Sequence, residues 1–163
     1  MRNQHSVTPK HIFIDPSYRA FDSDGLFDLL DPVLNRDGQL LPFHRLREHM
    51  ASKGISVHTA DYLFKDAGQD TQPMDYYSLG LLDNFERVSL EQRARLAAFV
   101  IMEPPVVAPF LYEALPRLTA VFDRVYLHNI TGDGYSLAGV DTSKLYRFYW
   151  PIPHNDVLVP NWE

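Results

Sequence analysis

The sequence contains no cysteine, no long apolar run and no cluster of basic residues. Without cysteine, the chain can form no disulfide bond, no thiolate metal site and no cysteine nucleophile. Because no apolar segment reaches 18 residues, we expect no part of the sequence to span a membrane. Lys and Arg are scattered, and the formal net charge is −6, which argues against a nucleic-acid partner because such partners select basic surfaces.

The common nucleotide and nucleophile motifs are also missing. There is no Gly-x-Gly-x-x-Gly, no Walker loop and no Gly-x-Ser-x-Gly. The seven histidines form no close metal pair: His44 and His49 lie five positions apart, whereas neighbours on one helix face lie three or four apart. The sequence therefore predicts neither a bound metal nor a bound cofactor.

The length and composition are those of one globular domain. The chain has 163 residues, of which 45% are hydrophobic and 22% charged. Residues 1–10 are polar and lack an apolar signal core, so we expect a flexible N-terminus, a domain over residues 11–163 and a cytoplasmic location. The sequon that begins at Asn129 is then a chance match.

Apolar patterning alternates between the strand period and the helix period. It predicts strands at residues 11–15, 55–59, 75–82, 97–102, 124–128 and 146–150. It predicts helices at residues 25–31, 41–53 and 109–122, with a short helix beginning near Ser89. This alternation is typical of an α/β fold, and we expect a Rossmann-like three-layer domain with a mostly parallel sheet.

The most informative segment is the apolar run at residues 97–102, which leads directly into Glu103. An apolar run this short, rich in β-branched and aromatic residues, fits a strand that is buried on both faces. We therefore expect this strand to be central in the sheet. Pro104 and Pro105 lack an N–H and end the strand just after Glu103. Ligands of open α/β sheets bind at the carboxyl ends of the strands, where a carboxylate can take part in acid–base chemistry.

Other polar residues lie at or just past the ends of predicted strands. They are Asp15, His58 with Asp61, and His128 with Asn129. If the strands are parallel, these side chains converge on one edge of the sheet and form a candidate site. The alternative is that polar residues end strands because loops face solvent.

Three segments resemble a known family when taken in order. Residues 102–105 read Met-Glu-Pro-Pro, residues 122–126 read Phe-Asp-Arg-Val-Tyr, and residues 146–153 form an aromatic-proline segment. They resemble the Glu-Pro-Pro motif, the following Phe-Asp strand and the aromatic-proline segment of the α-1,3-fucosyltransferases, glycosyltransferase family ten. The resemblance covers residues 97–163 well and residues 40–96 loosely.

This resemblance implies the acceptor-side half of a GT-B glycosyltransferase. The expected activity is inverting transfer of fucose from GDP-fucose to a glycan hydroxyl, with Glu103 as the general base. By the resemblance, GDP-fucose binds a second, C-terminal domain that this chain does not include, so we expect the chain to be inactive alone. The expected partners are a glycan acceptor and that donor-binding domain.

Four further residues are candidate contacts with the acceptor. They are His128 and Asn129 after the fifth strand, and Tyr149 and Trp150, whose rings could stack on a sugar. The alternative for Tyr149 and Trp150 is hydrophobic packing at the sheet edge.

Two other functions remain open from the sequence. One is a non-enzymatic, flavodoxin-like binding or interaction module. The other is a small hydrolase that uses Asp15, Asp61 and His128.

Overall fold

The protein forms one six-stranded sheet in which all neighbouring strands are parallel. The structure, a computed structural model, describes residues 8–65 and 72–149. The strand order is β2-β1-β3-β4-β5-β6. The strands are β1 His11–Asp15, β2 Ser56–Thr59, β3 Met74–Ser78, β4 Arg95–Val100, β5 Arg124–Leu127 and β6 Leu145–Arg147.

Helices connect the successive strands from β1 to β5, whereas the crossover from β5 to β6 is a loop that ends in a 3-10 turn. The helices are α1 Leu41–Ala51, α2 Asp61–Lys65, α3 Phe85–Glu91, α4 Pro109–Glu113 and α5 Leu115–Val121. Short 3-10 turns occupy Arg19–Phe21, Gly25–Phe27, Arg36–Gly38 and Thr142–Lys144. The predicted α/β fold with a parallel sheet is therefore confirmed.

The strand order places a topological switch point between β1 and β3. The chain first adds β2 on one side of β1, and then continues with β3 on the other side. The loops after β1 and β3 consequently diverge and leave a crevice at the carboxyl edge of the sheet. The order resembles that of the flavodoxin-like sheets, with a sixth strand added beyond β5.

Two hydrophobic cores, one on each face of the sheet, make the fold three-layered. On one face Ile12, Ile14 and Val57 pack with residues from the segment between β1 and α1, namely Leu26, Phe27 and Leu40. On the other face Phe13, Tyr76 and Phe99 pack with residues of the helical layer, namely Phe85, Val88, Leu111, Leu115 and Leu118. Neighbouring residues such as Ile12 and Phe13 enter different cores because successive side chains of a strand alternate between faces.

Strand β4 is an interior strand, as predicted. It runs from Arg95 to Val100 between β3 and β5, two residues earlier than the 97–102 range expected from the apolar run. Ile101 continues the pairing for one more residue, because its N–H donates to the carbonyl oxygen of Tyr126 at 2.8 Å. Pro104 lies just beyond this point and has no N–H to donate.

Several element boundaries differ from the sequence prediction. The helix expected over 109–122 is two helices, α4 and α5, which meet at Ala114 two residues before Pro116. The strand expected over 75–82 ends at Ser78, and the last strand is Leu145–Arg147 instead of 146–150. The helix expected over 25–31 is only the 3-10 turn Gly25–Phe27. Helix α2 was not predicted, because five residues are too few to show a helical period.

Within residues 8–65 and 72–149, no helix is long and apolar enough to cross a bilayer.

Candidate functional site

A cleft of about 720 Å³ lies over the carboxyl ends of β1, β3 and β4. This position is the switch point of the sheet, where α/β proteins bind their ligands. Its lining comes from the loops that follow these strands and from the first turn of α4. The lining residues are Ser17, Tyr18, 79–83, Met102, Glu103, Ala108, Phe110 and Leu111.

Glu103 lines this cleft, and its side chain is exposed. The Tyr112 hydroxyl donates a hydrogen bond to the Glu103 main-chain oxygen at 2.8 Å, which ties the loop after β4 to helix α4. Among the described residues, no side chain forms a hydrogen bond or an ion pair with the Glu103 carboxylate. The carboxylate is therefore available to a ligand in the cleft.

Asp83 supplies the cleft with a second carboxylate, which the sequence analysis did not identify. Its Oδ2 accepts a hydrogen bond from Arg19 Nη2 at 3.2 Å. Arg19 Nη1 donates to Asp15 Oδ1 at 3.1 Å. One guanidinium group thus bridges the buried carboxylate at the end of β1 and the exposed carboxylate after β3.

Asp15 is the last residue of β1, is fully buried and does not line the cleft. Its Oδ2 accepts hydrogen bonds from the Tyr76 hydroxyl at 2.5 Å and from Asn84 Nδ2 at 3.0 Å. Burial raises the pKa of Asp15, and the hydrogen bonds of Tyr76 and Asn84 together with the charge of Arg19 only partly oppose the rise. Because every oxygen of this carboxylate has a protein partner, Asp15 positions Arg19 and does not contact a ligand.

His58 is the third residue of β2, and its ring is held by Asp24. His58 Nδ1 and Arg47 Nη2 each lie 2.9 Å from Asp24 Oδ2. The main-chain N–H of Thr59 donates to Asp24 Oδ1 at 2.9 Å. These bonds fasten the segment between β1 and α1 onto β2.

Asp61 is also bound within the protein. Its carboxylate accepts hydrogen bonds from the hydroxyl of Thr59 and from Lys65, each at 2.5 Å, and from the N–H of Ser23 at 3.0 Å. Partial burial of Asp61 opposes these bonds, but together they lower its pKa. The structure thus places Asp15, His58 and Asp61 at the predicted edge of the sheet, with their polar atoms used to hold the loops together.

His128 and Asn129 follow β5 at the same edge and do not line the cleft. His128 Nε2 donates to the Met102 carbonyl oxygen at 3.0 Å, because a carbonyl can only accept. Asn129 Oδ1 accepts from the N–H and the hydroxyl of Thr131 at 2.8 and 2.6 Å. His128 consequently supports the main chain immediately before Glu103, and Asn129 shapes the following turn.

Tyr149 lies two residues beyond β6, and its side chain is 70% exposed. Its hydroxyl accepts a hydrogen bond from Arg147 Nη1 at 3.2 Å. Trp150, the other aromatic candidate for sugar stacking, lies outside the described residues.

Within the described part of the chain, no three His, Asp or Glu side chains are placed to hold a metal ion. The cleft instead combines hydrophobic walls from Leu, Met and Phe with the carboxylates of Asp83 and Glu103. This combination suits an uncharged, hydroxylated ligand that has apolar faces, since carboxylates accept hydrogen bonds from hydroxyl groups.

A comparison of the chain with family models, curated proteins and solved structures gives no match.

Proposed function

We propose that this chain is the acceptor-side domain of an inverting glycosyltransferase that transfers fucose from GDP-fucose to a glycan hydroxyl. The observation that carries the proposal is the position of Glu103. Glu103 is exposed, follows the carboxyl end of an interior strand and lines a cleft of about 720 Å³. The resemblance of the Glu-Pro-Pro segment to the α-1,3-fucosyltransferases supports the same role.

Glu103 acts as the general base in this proposal. The acceptor hydroxyl oxygen forms a bond to the anomeric carbon of fucose, on the face opposite the nucleotide. The bond from that carbon to the phosphate oxygen breaks, and GDP leaves with the electron pair. The hydroxyl proton moves to the Glu103 carboxylate, which must lie within roughly 2.6–3.2 Å of the hydroxyl oxygen.

The other cleft residues bind the acceptor sugar. The apolar face of a sugar ring packs on Phe110, which is 56% exposed, or on the ring of Tyr18. Asp83 accepts hydrogen bonds from ring hydroxyls, and Arg19 holds this carboxylate in place. The acceptor is thereby oriented with one hydroxyl towards Glu103.

GDP-fucose binds elsewhere, on a separate donor-binding domain. The carboxylates of Asp83 and Glu103 repel phosphates, and the sequence has no glycine-rich phosphate loop. The nucleotide must then approach the anomeric carbon from the open side of the cleft.

Titration of the isolated chain with a panel of neutral oligosaccharides tests this proposal. We expect at least one glycan to shift the amide resonances of residues 79–83, Glu103 and Phe110. Phe110→Ala should weaken this binding by about tenfold, because it removes the apolar surface of the cleft. Leu90→Ala is the control, since Leu90 is 84% exposed on α3 and does not line the cleft.

The same titration with GDP should produce no saturable change. Binding of GDP at the cleft with no binding of any glycan would overturn the proposed division of the two substrates.

A flavodoxin-like binding module is the second candidate, because the strand order is of that type. A binding module differs from a transferase in one observable result. It would bind its ligand but show no turnover, even with a donor-binding domain and GDP-fucose present. The hydrolase alternative has less support, since no hydrogen bond or ion pair joins Asp15, Asp61 and His128 to one another within the described residues.

A further inference from the structure

A second pocket of about 280 Å³ is lined by Pro105 of the Glu-Pro-Pro segment, whereas Glu103 of the same segment lines the cleft. Its walls come from helices α4 and α5 and from the loop after β5. The side chains that define it are Tyr112, Tyr135, Pro105, Pro109, Pro116 and Glu113. None of these side chains has a role in the proposed transfer reaction.

The loop after β5 is held against the prolines by glycines in a left-handed conformation. Gly134 has a φ of +80° and Gly139 a φ of +75°. Cβ atoms at these positions would lie 3.9 Å from Pro105 and 3.7 Å from Pro116. The rings of Tyr112 and Tyr135 meet inside this wall, with centroids 4.7 Å apart and planes inclined at 54°.

The polar groups of this pocket are almost all used within the protein. The Tyr112 hydroxyl donates to the Glu103 main-chain oxygen at 2.8 Å, and the Tyr135 hydroxyl donates to that of Asn129 at 2.5 Å. Burial raises the pKa of Tyr112 to about 12, so this phenol keeps its proton at neutral pH. The Ser136 hydroxyl oxygen accepts from the N–H of Ala138 at 3.2 Å.

Glu113 is the polar side chain of this pocket that is not used within the described part of the protein. Its side chain is exposed, and it forms no ion pair or hydrogen bond with any described side chain. The pocket therefore presents one negative charge beside two aromatic rings and three proline rings.

We propose that this pocket binds a small quaternary ammonium compound of the choline class. A quaternary ammonium has a positive charge on an apolar surface and no N–H, so it needs no hydrogen-bond acceptor. The partly exposed ring of Tyr135, backed by the buried ring of Tyr112, attracts the cation through its π face, and Glu113 supplies the opposite charge. A sugar or a primary ammonium would instead need several hydrogen-bond partners, whereas Glu113 is the one side chain lining this pocket that offers an unused carboxylate among the described residues.

Choline and its neutral isostere 3,3-dimethylbutan-1-ol are the probes that test this inference. In a titration followed by amide resonances, choline should shift Gly134, Ser136 and Ala138 in a saturable way. The isostere has the same shape without the charge, and we expect it to bind about tenfold more weakly. Equal affinity for the two compounds, or no saturable shift with choline, would overturn the inference.

Three variants measure how much Glu113 and Tyr135 contribute to the affinity for choline. Glu113→Gln should weaken choline binding by about three- to tenfold, and Tyr135→Leu by about tenfold. Tyr135→Phe keeps the ring and should retain most of the affinity. Glu48→Gln, on α1 at the opposite face of the sheet, is the matched charge control and should change nothing. Loss of affinity equal to that of Glu113→Gln in this control would show an effect of net charge alone and would contradict the assigned site.

Discussion

Asp15 is the residue on which the geometry of the switch point depends. Its buried carboxylate binds Tyr76, Asn84 and Arg19, and Arg19 in turn reaches Asp83 at the cleft. Desolvation outweighs these partners, so the pKa of Asp15 is raised above its ordinary value. Folding therefore favours the protonated carboxyl group, even though a cation lies beside it.

The pH dependence of stability tests this direction. Between the ordinary pKa of an aspartate and the raised pKa of Asp15, the folded state binds more protons than the unfolded state. The contribution of Asp15 is fully present below the ordinary value and is lost as the pH rises through the folded pKa. Relative to Asp15→Asn, which cannot titrate, the wild-type protein should lose stability as the pH rises from the ordinary pKa of an aspartate through the raised pKa of Asp15.

The measurement is the free energy of unfolding of both proteins in urea across this pH range. Asp28→Asn, an exposed carboxylate that bonds only its own turn, provides the control and should show no such trend. If the wild-type protein instead gained stability relative to Asp15→Asn with rising pH, the pKa of Asp15 would be lowered. Its hydrogen bonds and the charge of Arg19 would then outweigh the effect of burial.

At the scale of elements, the residues after α5 join the helical layer to the sheet. Phe122 ends this helix, is fully buried and contacts three aromatic rings that belong to three elements. Its ring centroid lies 6.3 Å from that of Tyr76, 5.7 Å from that of Phe85 and 5.4 Å from that of Phe99. A single side chain thus fills the space between β3, β4 and α3.

Phe122→Ala should lower the free energy of unfolding by about 3–5 kcal/mol, because it removes a ring and leaves a cavity in a packed core. Val121→Ala, one residue earlier on the same helix, should cost less than about 1 kcal/mol, since Val121 is 37% exposed. Urea unfolding of the two variants gives the comparison. Similar losses would show that the three elements do not pack around Phe122.

The element boundaries show which parts of the fold could be read from the sequence. β1 was predicted with its observed bounds, because Pro16 ends a run of apolar residues there. The helical period predicted one helix over residues 109–122, but the chain breaks into α4 and α5 just before Pro116, which has no N–H to donate within a helix. Helix α2 has only five residues, too few for a recognisable pattern.

At the scale of the whole molecule, the full candidate site could not be predicted without knowing the strand order. Glu103 could be predicted from local pattern, since an apolar run and two prolines frame it. Asp83 could not be predicted in this way. It lies 64 residues after Arg19 along the chain, and their contact depends on β3 lying beside β1. The pattern also could not show that Asp15 and Asp61, at the same edge, are bound within the protein.

Within residues 8–65 and 72–149, a parallel sheet carries an apolar cleft whose lining includes Glu103, a residue whose carboxylate has no hydrogen-bond or ion-pair partner there. Catalysis by Glu103 is the central claim, and turnover by the protein together with the proposed donor-binding domain tests it most directly. The assay uses GDP-fucose and a glycan that binds the cleft. Glu103→Gln keeps the shape of the side chain and removes the base.

We expect Glu103→Gln to lower kcat by about 10²–10⁴-fold and to leave the KM for GDP-fucose nearly unchanged. Glu86→Gln, an exposed carboxylate paired with Arg117, should keep normal turnover. If Glu103→Gln retained more than about half of the wild-type kcat, Glu103 would not be the general base.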